Sequence, residues 1–182
     1  MSQKQLIMAI GDGGCKIVKS LTTNFDKVFV DTDPEVIDKY DGIRIGANAC
    51  GNYSTTGDVK LGSSAVLESI KEIEELINSY EEIVLVTLLG GGTSSGSTPE
   101  IIKICQNNNK KVVVLTGLPA KHEGKIRTNI AVNSLDEMQQ KCKVKLPDLE
   151  LDKNYKGSLA GFLEFKKDLV LNLLEEYLSA KN

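Results

Sequence analysis

Ile83-Val84-Leu85-Val86-Thr87-Leu88-Leu89-Gly90-Gly91-Gly92-Thr93-Ser94-Ser95-Gly96-Ser97-Thr98-Pro99-Glu100-Ile101-Ile102-Lys103-Ile104-Cys105 runs from an apolar segment, through three glycines and a hydroxyl cluster, into helical spacing. A run that is apolar at nearly every position fits a strand covered on both faces, as in a parallel sheet. Gly90, Gly91 and Gly92 strip the strand-to-helix turn of Cβ atoms, so the backbone can approach a ligand closely and adopt positive φ. Thr93, Ser94, Ser95 and Ser97, with Gly96 between them, add hydroxyls where a helix begins. Unsatisfied N–H groups and the positive end of the helix dipole favour an anion there. Pro99 suits a first helical position, with Thr98 as its cap. The stretch is expected to be an anion-binding turn, with a nucleotide phosphate as the anion.

Working outward, the same alternation recurs. Leu6-Ile7-Met8-Ala9-Ile10 is another apolar run, broken by Gly11-Asp12-Gly13-Gly14 and followed from Cys15 by a short helical pattern. Val28-Phe29-Val30 leads into Asp31-Thr32-Asp33-Pro34, and Val112-Val113-Val114-Leu115-Thr116 into Gly117-Leu118-Pro119. Residues 41–62 read as a long loop. Val66, Leu67, Ile70, Ile73, Leu76 and Ile77 repeat at helical spacing, as do the apolar residues of 124–142 and 159–180. Residues 143–151 read as extended. Strands alternating with helices predict an α/β fold: a three-layer, Rossmann-like, mostly parallel sheet flanked by helices and ending in a long helix. The expected organisation is one nucleotide-binding domain over 1–182, with the sheet and its loops in 1–158 and the long helix at 159–180. The loops after Ile10, Val30, Leu89 and Thr116 all follow strands, so they should gather at one sheet edge, where such folds bind ligands.

With 182 residues, 41% hydrophobic and 26% charged, the chain has the composition of an ordinary globular domain with a sizeable core. Its net charge of −3 offers no electrostatic footprint for nucleic acid. No apolar run reaches the length of a membrane span, and Met1-Ser2-Gln3-Lys4-Gln5 does not lead into a secretory core, so a cytoplasmic location is expected. Cys15, Cys50, Cys105 and Cys142 form no C-x-x-C pair and read as buried free thiols. The single histidine, His122, excludes a multi-histidine metal centre, and no protein-held metal is expected.

Two common nucleotide patterns fit badly. The residue three after Gly13 is Lys16, not the last glycine of G-x-G-x-x-G, and no G-K-[ST] follows either glycine loop. Instead, residues 90–99 resemble the signature loop of the tubulin/FtsZ superfamily, G-G-G-T-G-[ST]-G with a proline three residues on. Gly11-Asp12-Gly13-Gly14-Cys15-Lys16-Ile17 is similar to the tubulin-type first loop, G-Q-x-G-x-Q-I. Asp31-Thr32-Asp33 resembles the N-T-D after the second strand. Pro119, followed by His122-Glu123-Gly124-Lys125-Ile126-Arg127, resembles proline followed by F-E-G-x-x-R.

The resemblance implies roles. Gly11, Gly13, Gly14 and Cys15, with Asp12 between them, would face the α- and β-phosphates of GTP or GDP. Gly90 to Gly96 would wrap the β- and γ-phosphates, Thr55, Thr56 and Gly57 would lie in the γ-phosphate-sensing loop, and Asp31 would stand at the second turn. Glu123 and Arg127 would reach ribose and phosphates, and Phe165 and Asp168 would lie near the guanine. Mg2+ would bind through phosphates and water. Ser94, where the family has glycine, is expected to restrict the backbone. The last helix resembles the family's central helix, after which a loop supplies acids to a neighbour's nucleotide. Hydrolysis would then need an acid from another chain, and no catalytic residue is assigned. The implied function is a guanine-nucleotide-binding protein that associates with itself or with a partner protein, either a minimal GTPase or a non-hydrolysing structural protein. A dinucleotide-dependent enzyme is the third option. Outside that context, Glu123 and Arg127 would be an exposed helix pair worth about 0.3–0.5 kcal/mol. Gly92→Val is expected to fill phosphate space while leaving the fold largely intact.

Overall fold

The structure is a computed structural model and describes residues 4–51, 53–148 and 155–181. Its elements alternate as the apolar runs require: β1 (Gln5–Ile10), α1 (Gly11–Ser20), β2 (Asp26–Asp31), α2 (Pro34–Tyr40), β3 (Ile43–Arg44), α3 (Val59–Glu68), α4 (Ile70–Ile77), β4 (Glu82–Leu88), α5 (Gly92–Asn107), β5 (Lys111–Gly117), α6 (Lys125–Gln139), β6 (Lys143–Lys145) and α7 (Leu159–Ser179). A 3-10 turn at Lys121–Glu123 precedes α6. The strands form one sheet in the order β3-β2-β1-β4-β5-β6, and every neighbouring pair is parallel.

The strand pleat divides the core in two. Leu6, Met8, Ile10, Ile83 and Leu85 face a layer built from α3, α4, α5 and α6, with Val66, Ile73, Ile101, Ile102 and Met138 buried against them. Ile7, Ala9, Val84 and Val86 face the other layer, where Cys15, Val18, Val170 and Leu174 come from α1 and α7. Successive strand side chains point to opposite faces, so a fully apolar strand is one that is covered twice.

Four sequence expectations are corrected. Residues 41–62 include the two-residue strand β3 and the first turn of α3. Their loop is tied down: the Glu68 carboxylate accepts from the N–H groups of Asn48 and Ala49, and Ser69 Oγ accepts from Gly46 N at 3.2 Å. That role for Ser69 coincides with a break, so the single apolar periodicity over 66–77 belongs to two helices, α3 and α4. Pro99 does not start a helix. It lies inside α5, which begins at Gly92. Pro99 cannot donate to the Ser95 carbonyl four residues back, and that carbonyl is satisfied by the Ser134 hydroxyl of α6 at 2.9 Å. The extended piece expected over 143–151 is a strand only at Lys143–Lys145, and its residues 149–151 lie outside the described ones.

At the opposite end of the sheet from the glycine loops, Glu82 begins β4 and is 5% exposed. It accepts from Gln5 Nε2, from the Tyr177 hydroxyl at 2.8 Å, and from Lys181 Nζ at 2.9 and 3.0 Å. This network fastens the end of α7 to the two central strands. Burial pushes the Glu82 carboxyl up, but the bonds from Lys181, Tyr177 and Gln5 outweigh it and leave it below its ordinary value of 4.5. A lowered carboxylate contributes stability that is present above the unfolded value and lost as pH falls through the folded one. Glu82→Gln should therefore cost about 2 kcal/mol at pH 7, with the gap to the parent closing below about pH 4. Urea denaturation of both proteins between pH 7 and pH 3 checks this.

Candidate functional site

In the strand order, β1 connects outward to β2 and β3, while its neighbour β4 connects outward to β5 and β6. Ile10 pairs with Thr87, so the two central strands end side by side, and the chain departs from them in opposite directions. A crevice opens at such a point, beyond the carboxyl ends of the strands. Two helices start directly at it. α1 begins at Gly11 with no side-chain cap, and α5 begins after Gly91 with none either. The first N–H groups of each therefore have no partner within their helix.

The glycines let these two helix starts meet. Gly11 has φ +76°, and a Cβ there would lie 2.8 Å from Ser94 Oγ. Gly14 packs so closely on β4 that a Cβ would stand 2.4 Å from the Val86 carbonyl oxygen. Gly90 has φ +104° and turns the chain beside Pro119 and the backbone of Arg127. Gly92 and Gly96 serve packing: a Cβ on Gly92 would be 2.7 Å from the backbone N and O of Asp58, and one on Gly96 would be 2.1 Å from the Val59 carbonyl oxygen. Gly91 is the open one, its nearest neighbour being Ser94 Oγ at 3.6 Å. Gly92→Val would push residues 55–58 off α5, so the expectation that it leaves the fold intact is corrected. Ser94 sits within helical α5 and needs no positive φ, so the expected backbone restriction there does not arise.

The hydroxyls of the signature loop are mostly engaged inside the protein. Thr93 Oγ1 lies 2.8 Å from Thr32 Oγ1 and 3.1 Å from Thr55 Oγ1, joining three loops at one buried point. Ser95 Oγ accepts from Gly90 N at 2.9 Å, and Thr98 Oγ1 donates to the Ser94 carbonyl at 2.6 Å. Thr56 has φ +48°, a region a β-branched residue rarely adopts, so the loop holding Thr55 is bent under strain.

Two adjoining spaces open around these helix starts. A cleft of about 430 Å³ is lined by Asp12, Gly13, Lys16, Pro119, Glu123 and Arg127, and by Leu163, Glu164 and Lys167 of α7. A chamber of about 210 Å³ is lined by Asp12, Asp31, Asp33, Thr55, Thr56, Gly57, Gly91, Gly92 and Thr93. Glu123 accepts from Ala120 N at 2.8 Å and pairs with Arg127 at 3.5 Å, so the carboxylate fixes both the turn and the guanidinium. Asp31 Oδ1 accepts from Asp33 N at 2.9 Å, and Asp33 caps α2 through Glu35 N. Burial pushes the Asp31 carboxyl above its ordinary value of 3.8, against the backbone N–H bonds that lower it. Cys15 is fully buried, and burial first of all pushes its thiol up to about 12, so only its backbone can face a ligand.

Most of the residues singled out from sequence thus converge. Gly11, Gly14, Cys15, Gly90, Ser94, Ser95 and Gly96 line neither space themselves but stand in the same two turns as residues that do, whereas Phe165 and Asp168 lie apart from both spaces. The Phe165 ring stacks on that of Tyr155, with centroids 5.2 Å apart. Asp168 borders an adjoining groove with Lys16, Ser20 and Tyr40. Lys16, Glu164 and Lys167 line the cleft and were missed. The repeat of buried Phe162, Lys166, Val170, Leu174 and Leu178 fixes which side of α7 faces the core, and that phase is the sequence signal for the cleft-facing positions.

The family model described as Tubulin/FtsZ family, GTPase domain, matches residues 5–147. The chain belongs to the tubulin/FtsZ family. Cell division protein FtsZ of Helicobacter pylori is 28% identical over 149 residues, covering 75% of this chain and 38% of that protein. FtsZ 1 of Methanocaldococcus jannaschii is 32% identical over 98 residues, 54% of this chain and 27% of its own. The chain therefore spans well under half the length of these FtsZ relatives. Among solved structures, an empty FtsZ dimer from M. jannaschii superposes with a TM-score of 0.85 at 21% identity, covering 94% of this chain and 53% of that one. A GTPγS-bound CetZ2 protofilament from Haloferax volcanii gives 0.81 at 22% identity, covering 97% and 58%. The fold is that of the FtsZ and CetZ domains.

Gly92→Ala should lower stability by about 1–3 kcal/mol through overpacking against Asp58, while Gly91→Ala should stay within about 0.5 kcal/mol. Thermal melts of the two variants test which glycine packs and which faces the site. The raised Asp31 carboxyl means that the folded protein holds this proton more tightly than the unfolded chain. Its charge then opposes folding above about pH 4. Asp31→Asn should raise the melting temperature at pH 7, with the gain shrinking toward pH 4.

Proposed function

We propose that this chain binds a guanine nucleotide, GTP or GDP, with its phosphates running from the cleft into the chamber across the starts of α1 and α5. The observation that carries the reading is the meeting of two uncapped, glycine-lined helix starts at adjacent strand ends, Gly11 against Ser94. Two N-termini aimed at one crevice offer converging N–H groups and two positive dipole ends, a cradle for a di- or triphosphate. Glu123 and Arg127 stand at the cleft wall where ribose and phosphate would lie, and the first turns of α7 form the wall for the base. In this reading Glu164 and Lys167 stand closer to the base than Phe165 and Asp168. Mg2+, when bound, neutralises phosphate charge, and the hard carboxylate oxygens of Asp12, Asp31 and Asp33 are donors of a fitting type.

The chain acts as one nucleotide-binding unit, cytoplasmic, and associates with itself or with a partner protein. The solved relatives named as a dimer and a protofilament support association. Among the described residues no helix is long and apolar enough to cross a membrane. We assign no residue of this chain to activation of the attacking water. Turnover would depend on an acid from a neighbouring chain, and the second reading is a structural protein that holds its nucleotide unhydrolysed.

Gentle purification followed by nucleotide extraction should recover GDP or GTP, and GTP and GDP, but not ATP, should raise the melting temperature. Absence of any bound nucleotide and of any shift refutes the reading. Arg127→Ala, at a half-exposed position, should weaken nucleotide binding about three- to tenfold with the melting temperature of the empty protein unchanged. GTP hydrolysis per subunit should rise with protein concentration if a neighbour completes the site, and should stay at background throughout if the role is structural.

A further inference from the structure

Three of the basic side chains lining the cleft each pair with one of its carboxylates: Lys16 with Asp12, Arg127 with Glu123 and Lys167 with Glu164. In every pair at least one side chain is about half-exposed or more. The fourth base, Lys166, differs. It is 7% exposed, and among the described residues lining the cleft its polar side chain alone is buried to nine-tenths or more. Its Nζ lies 5.7 Å from the centre of the Phe162 ring. That ring is itself held by His122 and Tyr155 in edge contacts, with centroids 5.4 and 5.1 Å away. Lysine is seldom buried so far, and its ammonium donates hydrogen bonds but accepts none.

We propose that Lys166 is a specificity-determining residue, its Nζ donating to the oxygen at position 6 of a purine base. The inference rests on the nucleotide reading above, in which the first turns of α7 form the wall for the base. Lys166 stands on that wall with Leu163 and Glu164. A buried polar group discriminates strongly, because a ligand that fails to match it strips away water and returns no bond. Three donors on one nitrogen can serve both the protein and a ligand. Guanine and hypoxanthine carry an acceptor at position 6, whereas adenine carries an amino donor there, which an ammonium repels. The carboxylate on the same wall, Glu164, is 69% exposed and bonded to Lys167. The 2-amino group of guanine therefore meets no buried acceptor from α7. The site reads the 6-oxo group and leaves the 2-amino group nearly unread, so it takes inosine nucleotides as well as guanosine ones.

Calorimetric titration of the nucleotide-free protein with GDP, IDP, 6-thio-GDP and ADP tests this. IDP lacks only the 2-amino group, and 6-thio-GDP only exchanges the position-6 oxygen for a weakly accepting sulfur. IDP should bind within about threefold of GDP, and 6-thio-GDP about tenfold or more weaker than GDP. ADP should be weaker still. Lys166→Met, which keeps the bulk without the donors, should bring GDP down to the level of 6-thio-GDP and leave 6-thio-GDP itself little changed. That retained binding also shows the variant to be folded. A tenfold loss with IDP, or 6-thio-GDP bound as tightly as GDP, overturns the proposal. So does a Lys166→Met protein that loses GDP and 6-thio-GDP equally, which would move Lys166 to the ribose or the phosphates. If none of the four nucleotides binds, the nucleotide reading itself fails, and the proposal with it.

Discussion

Two helices start from adjacent parallel strands and their first turns touch, with Gly11 against Ser94. Everything at the candidate site depends on that approach. It requires a Cβ-free residue at positive φ after β1, and it requires α1 to lie close enough on β4 that Gly14 clears the Val86 carbonyl. Uncapped N–H groups are tolerable there because they face an open crevice instead of an apolar interior. The same crevice is where positive dipole ends can be used by an anion.

The hydroxyls that make the signature loop conspicuous work mainly on the protein itself. Thr93 ties the loop to Thr32 and Thr55, Ser95 holds Gly90, and Ser134 takes over the carbonyl that Pro99 leaves without its helical donor. These bonds pin three separately connected loops to one another. A backbone cradle binds well only if it is held before the ligand arrives, since any ordering at that moment subtracts from affinity. Strain at Thr56 fits the same economy, with the loop kept bent by its neighbours.

Charge is distributed unevenly over this rigid frame. The cleft mixes Lys16, Arg127, Lys166 and Lys167 with Asp12, Glu123 and Glu164, while the charged residues lining the chamber are Asp12, Asp31 and Asp33. At the far end of the sheet, Glu82 gathers Gln5, Tyr177 and Lys181 and fixes the end of α7. One buried carboxylate is thus ion-paired and lowered, while another, Asp31, has no ion pair among the described residues and is raised by burial. The first pattern serves stability. The second departs from it, as groups at functional sites often do.

Much of this was legible in the sequence because parallel strands covered on both faces are apolar throughout, and because glycines mark each turn that must come close to something. The alternation of elements, the parallel sheet and the convergence of residues 12, 13, 31, 55–57, 91–93, 119, 123 and 127 follow from local pattern and strand order. Local pattern could not tell a glycine that faces ligand from one that faces a neighbouring helix. Gly91 and Gly92 are adjacent and alike in sequence, yet only the packing of residues 55–58 separates their roles. Nor could it phase α7 finely enough to put Glu164 on the cleft and Phe165 on Tyr155, since one residue is 100° of rotation. α5 starts at Gly92, seven residues ahead of Pro99, and a hydroxyl from α6 takes the carbonyl that the proline leaves without its helical donor. Sequence by itself determined which segments are strands, helices and close-approach turns, because those depend on near neighbours in the chain. Tertiary structure decided which side of each turn meets the ligand, because that depends on what packs against the other side.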